Sequence, residues 1–129
     1  MLLRRLSLLL AFAWMALLFY LSHQPGLDTP MLFSGQDKVL HAVVYGLLGL
    51  LLLAAQPRQA QGYSWRQVGI STLIASLYGL SDEIHQYFIP GRSSEVLDWV
   101  ADTLGALIGA FLLAWLSRKW KSAGAVPVS

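Results

Sequence analysis

The stretch Leu77–Ala110, LYGLSDEIHQYFIPGRSSEVLDWVADTLGALIGA, decides how this chain is read. It places Asp82, Glu83, His85, Arg92, Asp98 and Asp102 within and between two apolar runs, and it breaks those runs at Pro90 and Gly91. Adjacent proline and glycine mark a turn, so the stretch reads as two helices joined by a tight connection with acidic residues near the joint. An ionised side chain in apolar surroundings costs free energy unless it is paired, and this placement is the feature to be explained.

The rest of the sequence says what those surroundings are. Of 129 residues, 56% are hydrophobic and 12% are charged. The mean hydropathy is +0.55, far from the balance of a soluble domain. In lipid only helices and closed barrels satisfy every backbone polar group, and runs that are continuously apolar rather than alternating favour helices. A bilayer core about 30 Å thick takes about 20 helical residues. Four runs approach that length once their amphipathic ends are included: 2–21, 37–55, 65–88 and 96–115. Breakers separate them, SHQPGLDTP, QPRQAQG and IPGRSS. Short connections predict antiparallel neighbours. The expected fold is therefore an all-α membrane protein, a four-transmembrane-helix up-down bundle forming one domain over 1–121, with a short cytoplasmic tail at 122–129.

Arg4 and Arg5 before an apolar run resemble a signal peptide. The run is longer than the usual apolar region of such a peptide and no small-residue cleavage site follows it, so it reads as an uncleaved first span. Basic residues collect on the cytoplasmic side of short loops. Arg4, Arg5, Arg58, Arg66, Arg118, Lys119 and Lys121 all fall on one side, leaving Lys38 and Arg92 on the other, so both termini are expected in the cytoplasm. All seven acidic residues and His23, His41 and His85 fall at or near the opposite, outward end. With no cysteine the chain has no disulfide framework, thiolate nucleophile or cysteine-based zinc site. The net charge of +2 is scattered over helix ends rather than gathered in a stripe, so no nucleic-acid partner is expected.

In the second span Asp37, His41 and Tyr45 are spaced i, i+4, i+8, so they share one face and step into the membrane about 6 Å at a time. A plain reading makes Ser34 and Asp37 a capping box, Lys38 a snorkelling cation and His41 and Tyr45 interfacial. His41 fits that reading less well, because a histidine one turn inside lipid faces protein or a water cavity. In the third span Asp82, His85 and Gln86 share a face, with Glu83 about 100° around the helix. A solvated helix end would carry them without purpose, yet Ile84, Tyr87, Phe88 and Ile89 keep the segment apolar, and intramembrane carboxylates point to function. In the fourth span Ser93 or Ser94 is a natural N-cap and Glu95 and Asp98 complement the helix dipole. Asp102 lies a turn deeper than that effect reaches, on a face continued by Gly105 and Gly109, a small surface suited to close helix contact. Arg92 pairs with Glu95 or lipid headgroups in the plain reading, and offers a planar fork to phosphate or carboxylate in the functional one.

Three segments together, DKVLHAVVYGLLG (37–49), SDEIHQYFIPGRSSEVLDWVADTLGALIGA (81–110) and LSHQP (21–25), resemble the VanZ-like family. Its pattern reads approximately D-K-x-x-H-x-x-x-Y, D-E-x-x-Q-x-F-x-P-G-R and D-x-x-x-N-x-x-G-x-x-x-G. The resemblance carries over onto Asp37, Lys38, His41, Tyr45, Asp82, Glu83, Gln86, Pro90, Gly91, Arg92, Asp98, Gly105 and Gly109. Asp102 departs from it, since many relatives have asparagine there, and His85 lies outside the pattern. The family is named for an accessory protein of resistance to the glycopeptide teicoplanin. The resemblance therefore implies a multi-pass protein of the bacterial cytoplasmic membrane with a role in the cell envelope, and no particular reaction.

Three functions compete. The first is an enzyme at the outer leaflet acting on an envelope lipid or lipid-linked glycan. In it His41, Asp82, Glu83, Asp98 and Asp102 are the catalytic candidates, and Lys38, Tyr45, His85, Gln86 and Arg92 hold the substrate. His41 would be oriented by Asp37 or by a carboxylate of the fourth span, and with no nucleophile motif in sight the attacking group would be an activated water. The second is a binding or protective protein using the same groups without chemistry. The third is a transporter or proton relay, disfavoured because the cytoplasmic halves of the spans are almost purely apolar. No H-E-x-x-H or comparable spacing is present, so no metal site is expected, and a divalent cation would have to rest on Asp82, Glu83 and Asp98. Membrane lipids are the expected partners, and the sequence carries no sign of oligomeric state.

Overall fold

The computed structural model describes residues 1–25 and 30–124, with side chains described as far as residue 120; Asp28 and the last five residues lie outside it. Four helices make up the architecture: α1 Leu2–His23, α2 Gln36–Ala54, α3 Trp65–Tyr87 and α4 Val96–Gly124. At one end of the bundle Arg4 Nε donates to the Ala55 carbonyl at 3.3 Å, and Arg118 Nε to the Tyr63 carbonyl at 3.0 Å. At the other end the C-termini of α1 and α3 meet the N-termini of α2 and α4, through Gln86–Ser22 and His41–Asp102. Neighbours along the chain are thus antiparallel, and α2 and α4 run parallel.

The α2–α4 interface is the largest in the molecule and is built from small residues. A Cβ placed on Gly105 would fall on the Ala42 carbonyl, one on Gly109 on the Gly46 carbonyl, and one on Gly49 on the Ala106 carbonyl. The two backbones touch with no side chain between them, the arrangement that small-x-x-x-small spacing permits in lipid. Below this seam, Leu53, Tyr63, Val68, Ala110 and Ala114 form an apolar cluster.

Helices α1, α2 and α4 are long and apolar enough to cross a membrane, with mean hydropathies of 1.8, 1.7 and 1.7 over their most apolar windows. At 23 residues, or about 34 Å, α3 has the length, but its composition is more polar. Its buried positions are mostly Gln67, Ser71, Ser76, Asp82, Glu83 and Gln86, while Leu73, Leu77 and Ile84 are more than half exposed. The expectation of four comparable apolar spans therefore changes at α3. It turns its polar side inward and its apolar side outward, which gives the bundle a polar core and an apolar outer face.

Helix starts follow local chemistry. Ser64 and Gln67 form a reciprocal capping box at α3. The expected Ser34–Asp37 box is absent: Gly35, at φ 83°, caps α2, a left-handed conformation that a side chain would strain. At α4 the Ser94 hydroxyl donates to Glu83, and Glu83 also accepts from the Glu95 backbone N–H. A carboxylate from α3 thereby serves the N-terminus of α4, where sequence suggested Ser93 or Ser94. The fourth helix also runs well beyond residue 115, into the stretch read as a tail. Arg118 stacks over Trp65 and Lys119 over Trp115, each 4.2 Å from the ring centroid, a favourable way to hold cations where apolar span meets headgroup region.

Candidate functional site

The outermost layer is organised by one ammonium group. Lys38 Nζ lies 2.6 Å from Asp37, 2.7 Å from Glu95 and 2.8 Å from Asp98. All three carboxylates share its one positive charge, and it ties the N-terminus of α2 to that of α4. Lys38 was expected to hold substrate, and the geometry instead places its charge among carboxylates of its own chain.

One turn deeper His41 Nδ1 meets Asp102 Oδ1 at 2.7 Å. An ionised carboxylate only accepts, so with Asp102 charged the proton sits on Nδ1 and Nε2 carries the lone pair. Among the described residues Nε2 makes no hydrogen bond; its nearest ionic neighbour is Asp98 Oδ2 at 3.9 Å. The carboxylate expected to orient His41 is thus the α4 residue Asp102, while Asp37 is taken by Lys38. Asp102 is fully buried and its Oδ2 has no partner among the described residues. Gly79 makes room for it, since a Cβ there would lie 2.8 Å from Oδ2. The Tyr45 hydroxyl is likewise buried without a partner.

From α3, Gln86 Nε2 donates to Ser22 Oγ at 3.2 Å and lies 3.3 Å from Asp82 Oδ2, joining α3 to the end of α1. Ser22 lies in the LSHQP segment, and its plain turn-like context gave no sign of this contact. Glu83 Oε2 serves α4, and Oε1 is buried with no partner. His85 lies apart from this group: its ring stacks on Phe19 and its Nε2 is 3.1 Å from His23 Nδ1. Trp99, which sequence reading did not single out, donates to the Ser76 carbonyl at 3.0 Å and locks α4 to α3 beneath the carboxylates.

Ser22, His41, Tyr45, Asp82, Gln86 and Arg92 line a cleft of about 210 Å³ between α1, α2 and α3. Leu18, Leu21, Leu40 and Val44 complete its lining. The Arg92 guanidinium has no hydrogen-bond or ion-pair partner among the described residues, in contrast to saturated Lys38. A second groove of about 320 Å³ runs between α3 and α4, is mostly apolar, and includes Glu83 and Glu95. Two sets of ligating atoms lie within 4.8 Å of one another, Asp37 with Glu95 and Asp98, and His41 with Glu83 and Asp102. Lys38 fills the first. The second draws on three helices, so no spacing within one helix could announce it.

A family profile described as VanZ/LLP1 matches residues 7–117. The chain belongs to the VanZ/LLP1 family. No curated protein and no solved structure matches it. The match takes in every residue of the VanZ/LLP1 site described above, from Ser22 at the end of α1 to Asp102 in α4. Family membership agrees with the membrane location that the three apolar helices support.

Proposed function

We propose that this VanZ/LLP1 protein engages the phosphate-bearing headgroup of an envelope lipid or lipid-linked glycan from the outer leaflet of the bacterial cytoplasmic membrane, and hydrolyses it. One observation carries the reading: the α1–α2–α3 cleft brings together the Arg92 guanidinium, which has no partner among the described residues, the His41 ring held by Asp102, and four aliphatic side chains. A headgroup fits the cationic and polar groups and the start of an acyl or prenyl chain fits the aliphatic ones. Seven of the nine basic residues, at the far end of the bundle, support the outward orientation of the site and cytoplasmic termini, with α3 crossing as the fourth span.

Arg92 offers a fork to phosphate oxygens. His41 Nε2 takes a proton from water as the water oxygen bonds to phosphorus. The phosphorus–oxygen bond to the leaving group then breaks, and the imidazolium returns the proton to the leaving oxygen. Buried Asp102 holds the ring and balances its charge in the protonated state. A change to such a lipid is the link to glycopeptide resistance that this reading carries. Purified protein incubated with bacterial lipid extract and divalent ions should release a water-soluble phosphate product, and His41→Gln should lower the rate by about 10²–10⁴-fold. Absence of product with the parent protein rejects hydrolysis.

Binding without chemistry is the second reading. It uses the same cleft, whose Ser22 and Gln86 side chains are hydrogen-bonded to each other and serve as recognition groups. Asp82→Asn and His41→Gln separate the two, since retained biological activity in both variants would rule out the enzyme. A proton relay has the least support: at the far end half-buried Gln56 and buried Gln67 and Ser71 are neutral and hydrogen-bonded to one another or to backbone.

A further inference from the structure

The outward end of the bundle sets Asp37, Asp82, Glu83, Glu95, Asp98 and Asp102 against two fixed cations, Lys38 and Arg92. Lys38 pairs with the outer three carboxylates it touches, one positive charge among three negative ones. The inner ones are poorly served, and uncompensated charge in a low-dielectric interior is strongly disfavoured. Deep in this region His41, Glu83 and Asp102 share one pattern: each commits one atom to a neighbour and keeps another. Among the described residues, Asp102 Oδ1 holds His41 and Oδ2 has no partner; Glu83 Oε2 holds the start of α4 and Oε1 has no partner; His41 Nδ1 holds Asp102 and Nε2 makes no hydrogen bond. Glu83 and Asp102 are 5% and 0% exposed, and one ligand atom of each lies within 4.8 Å of the others and of His41. Ligands fixed by hydrogen bonds through their second atom are the usual construction of a protein metal site.

We infer that His41, Glu83 and Asp102 form a divalent-cation site joining α2, α3 and α4. One nitrogen and two carboxylate oxygens suit Mn²⁺ or Zn²⁺ better than Cu⁺ or an all-oxygen Ca²⁺ cage. Three protein ligands leave positions open for water and for a phosphate oxygen of a lipid in the adjoining cleft. The inference stands apart from the hydrolysis reading. With a cation bound, His41 is a ligand and the cation-bound water takes its place as the source of hydroxide, and the binding itself is measured without lipid.

The test uses the full chain, purified in detergent, stripped with chelator and titrated with Mn²⁺ by calorimetry and electron paramagnetic resonance. The expected result is saturable binding at one ion per chain, with a nitrogen coupling from imidazole in the pulsed spectrum. Glu83→Gln and Asp102→Asn should each weaken binding at least about 10-fold. His41→Gln should remove the nitrogen coupling, while His85→Gln keeps it. Circular dichroism of each variant establishes that its helices persist. Absence of saturable Mn²⁺ or Zn²⁺ binding by the parent protein overturns the inference, as does undiminished binding by folded Asp102→Asn.

Discussion

At the scale of single residues, two cations of the same sign do opposite things. Arg92 is held at the turn before α4 with no partner for its guanidinium among the described residues, whereas Lys38 is enclosed by Asp37, Glu95 and Asp98. The Asp98 side chain is only 7% exposed, so removing its cation strands a buried carboxylate. Lys38→Met should lower stability by roughly 1–3 kcal/mol, below the range for fully buried pairs because Lys38 itself is partly exposed. Thermal unfolding in detergent measures this, and a variant as stable as its parent would show that the triad contributes nothing. The sequence already singled out Lys38, His41, Asp82, Arg92, Asp98 and Asp102, because charges inside apolar runs are conspicuous. It could not say which carboxylate each cation takes, since Asp37, Asp98 and Asp102 are equivalent by composition and separated only by helix rotation and depth. His85 looked like part of the cluster because it shares a face with Asp82, but Phe19 and His23 hold it at the α1 side.

At the scale of helices, the seam between α2 and α4 fixes how far the site can open. Gly105 and Gly109 bring α4 onto the α2 backbone, and this close approach holds Asp102 against His41. Gly109→Val would place a branched side chain against the Gly46 carbonyl, so it should cost about 1–3 kcal/mol or more and part the His41–Asp102 pair. Gly69→Ala, where an added Cβ meets nothing within 4 Å, is the matched control and should be neutral or slightly stabilising. Equal unfolding midpoints for the two variants would remove the seam from the account. Helix boundaries were largely legible, because hydropathy, Pro25, Pro30, Pro90 and Gly91 all punctuate the chain. Two features were not. The continuation of α4 past residue 115 carries Arg118 onto Trp65 of α3, and the N-terminus of α4 is served by Glu83, also from α3. Neither contact leaves a trace in local sequence.

At the scale of the whole molecule, the fold separates its surfaces by chemistry: lipid-facing leucines outside, small residues at the α2–α4 seam, and carboxylates at one end. α3 makes this arrangement work, because its polar side is what the other helices enclose. The chain has no cysteine, so its orientation can be read with single introduced ones. A membrane-impermeant maleimide should label Ser93→Cys in intact cells and Gln61→Cys only after permeabilisation; the reverse pattern would put the site on the cytoplasmic face. The central claim, that the cleft beside His41 holds an anionic lipid headgroup, is tested most directly by native mass spectrometry of the detergent-purified protein with bacterial envelope lipids. The account predicts a phosphate-bearing lipid bound to the parent protein, weakened about 10-fold or more by Arg92→Gln and unchanged by Arg58→Gln at the opposite end. A parent protein that carries no such lipid, or an Arg92→Gln variant that carries it equally well, would contradict the claim.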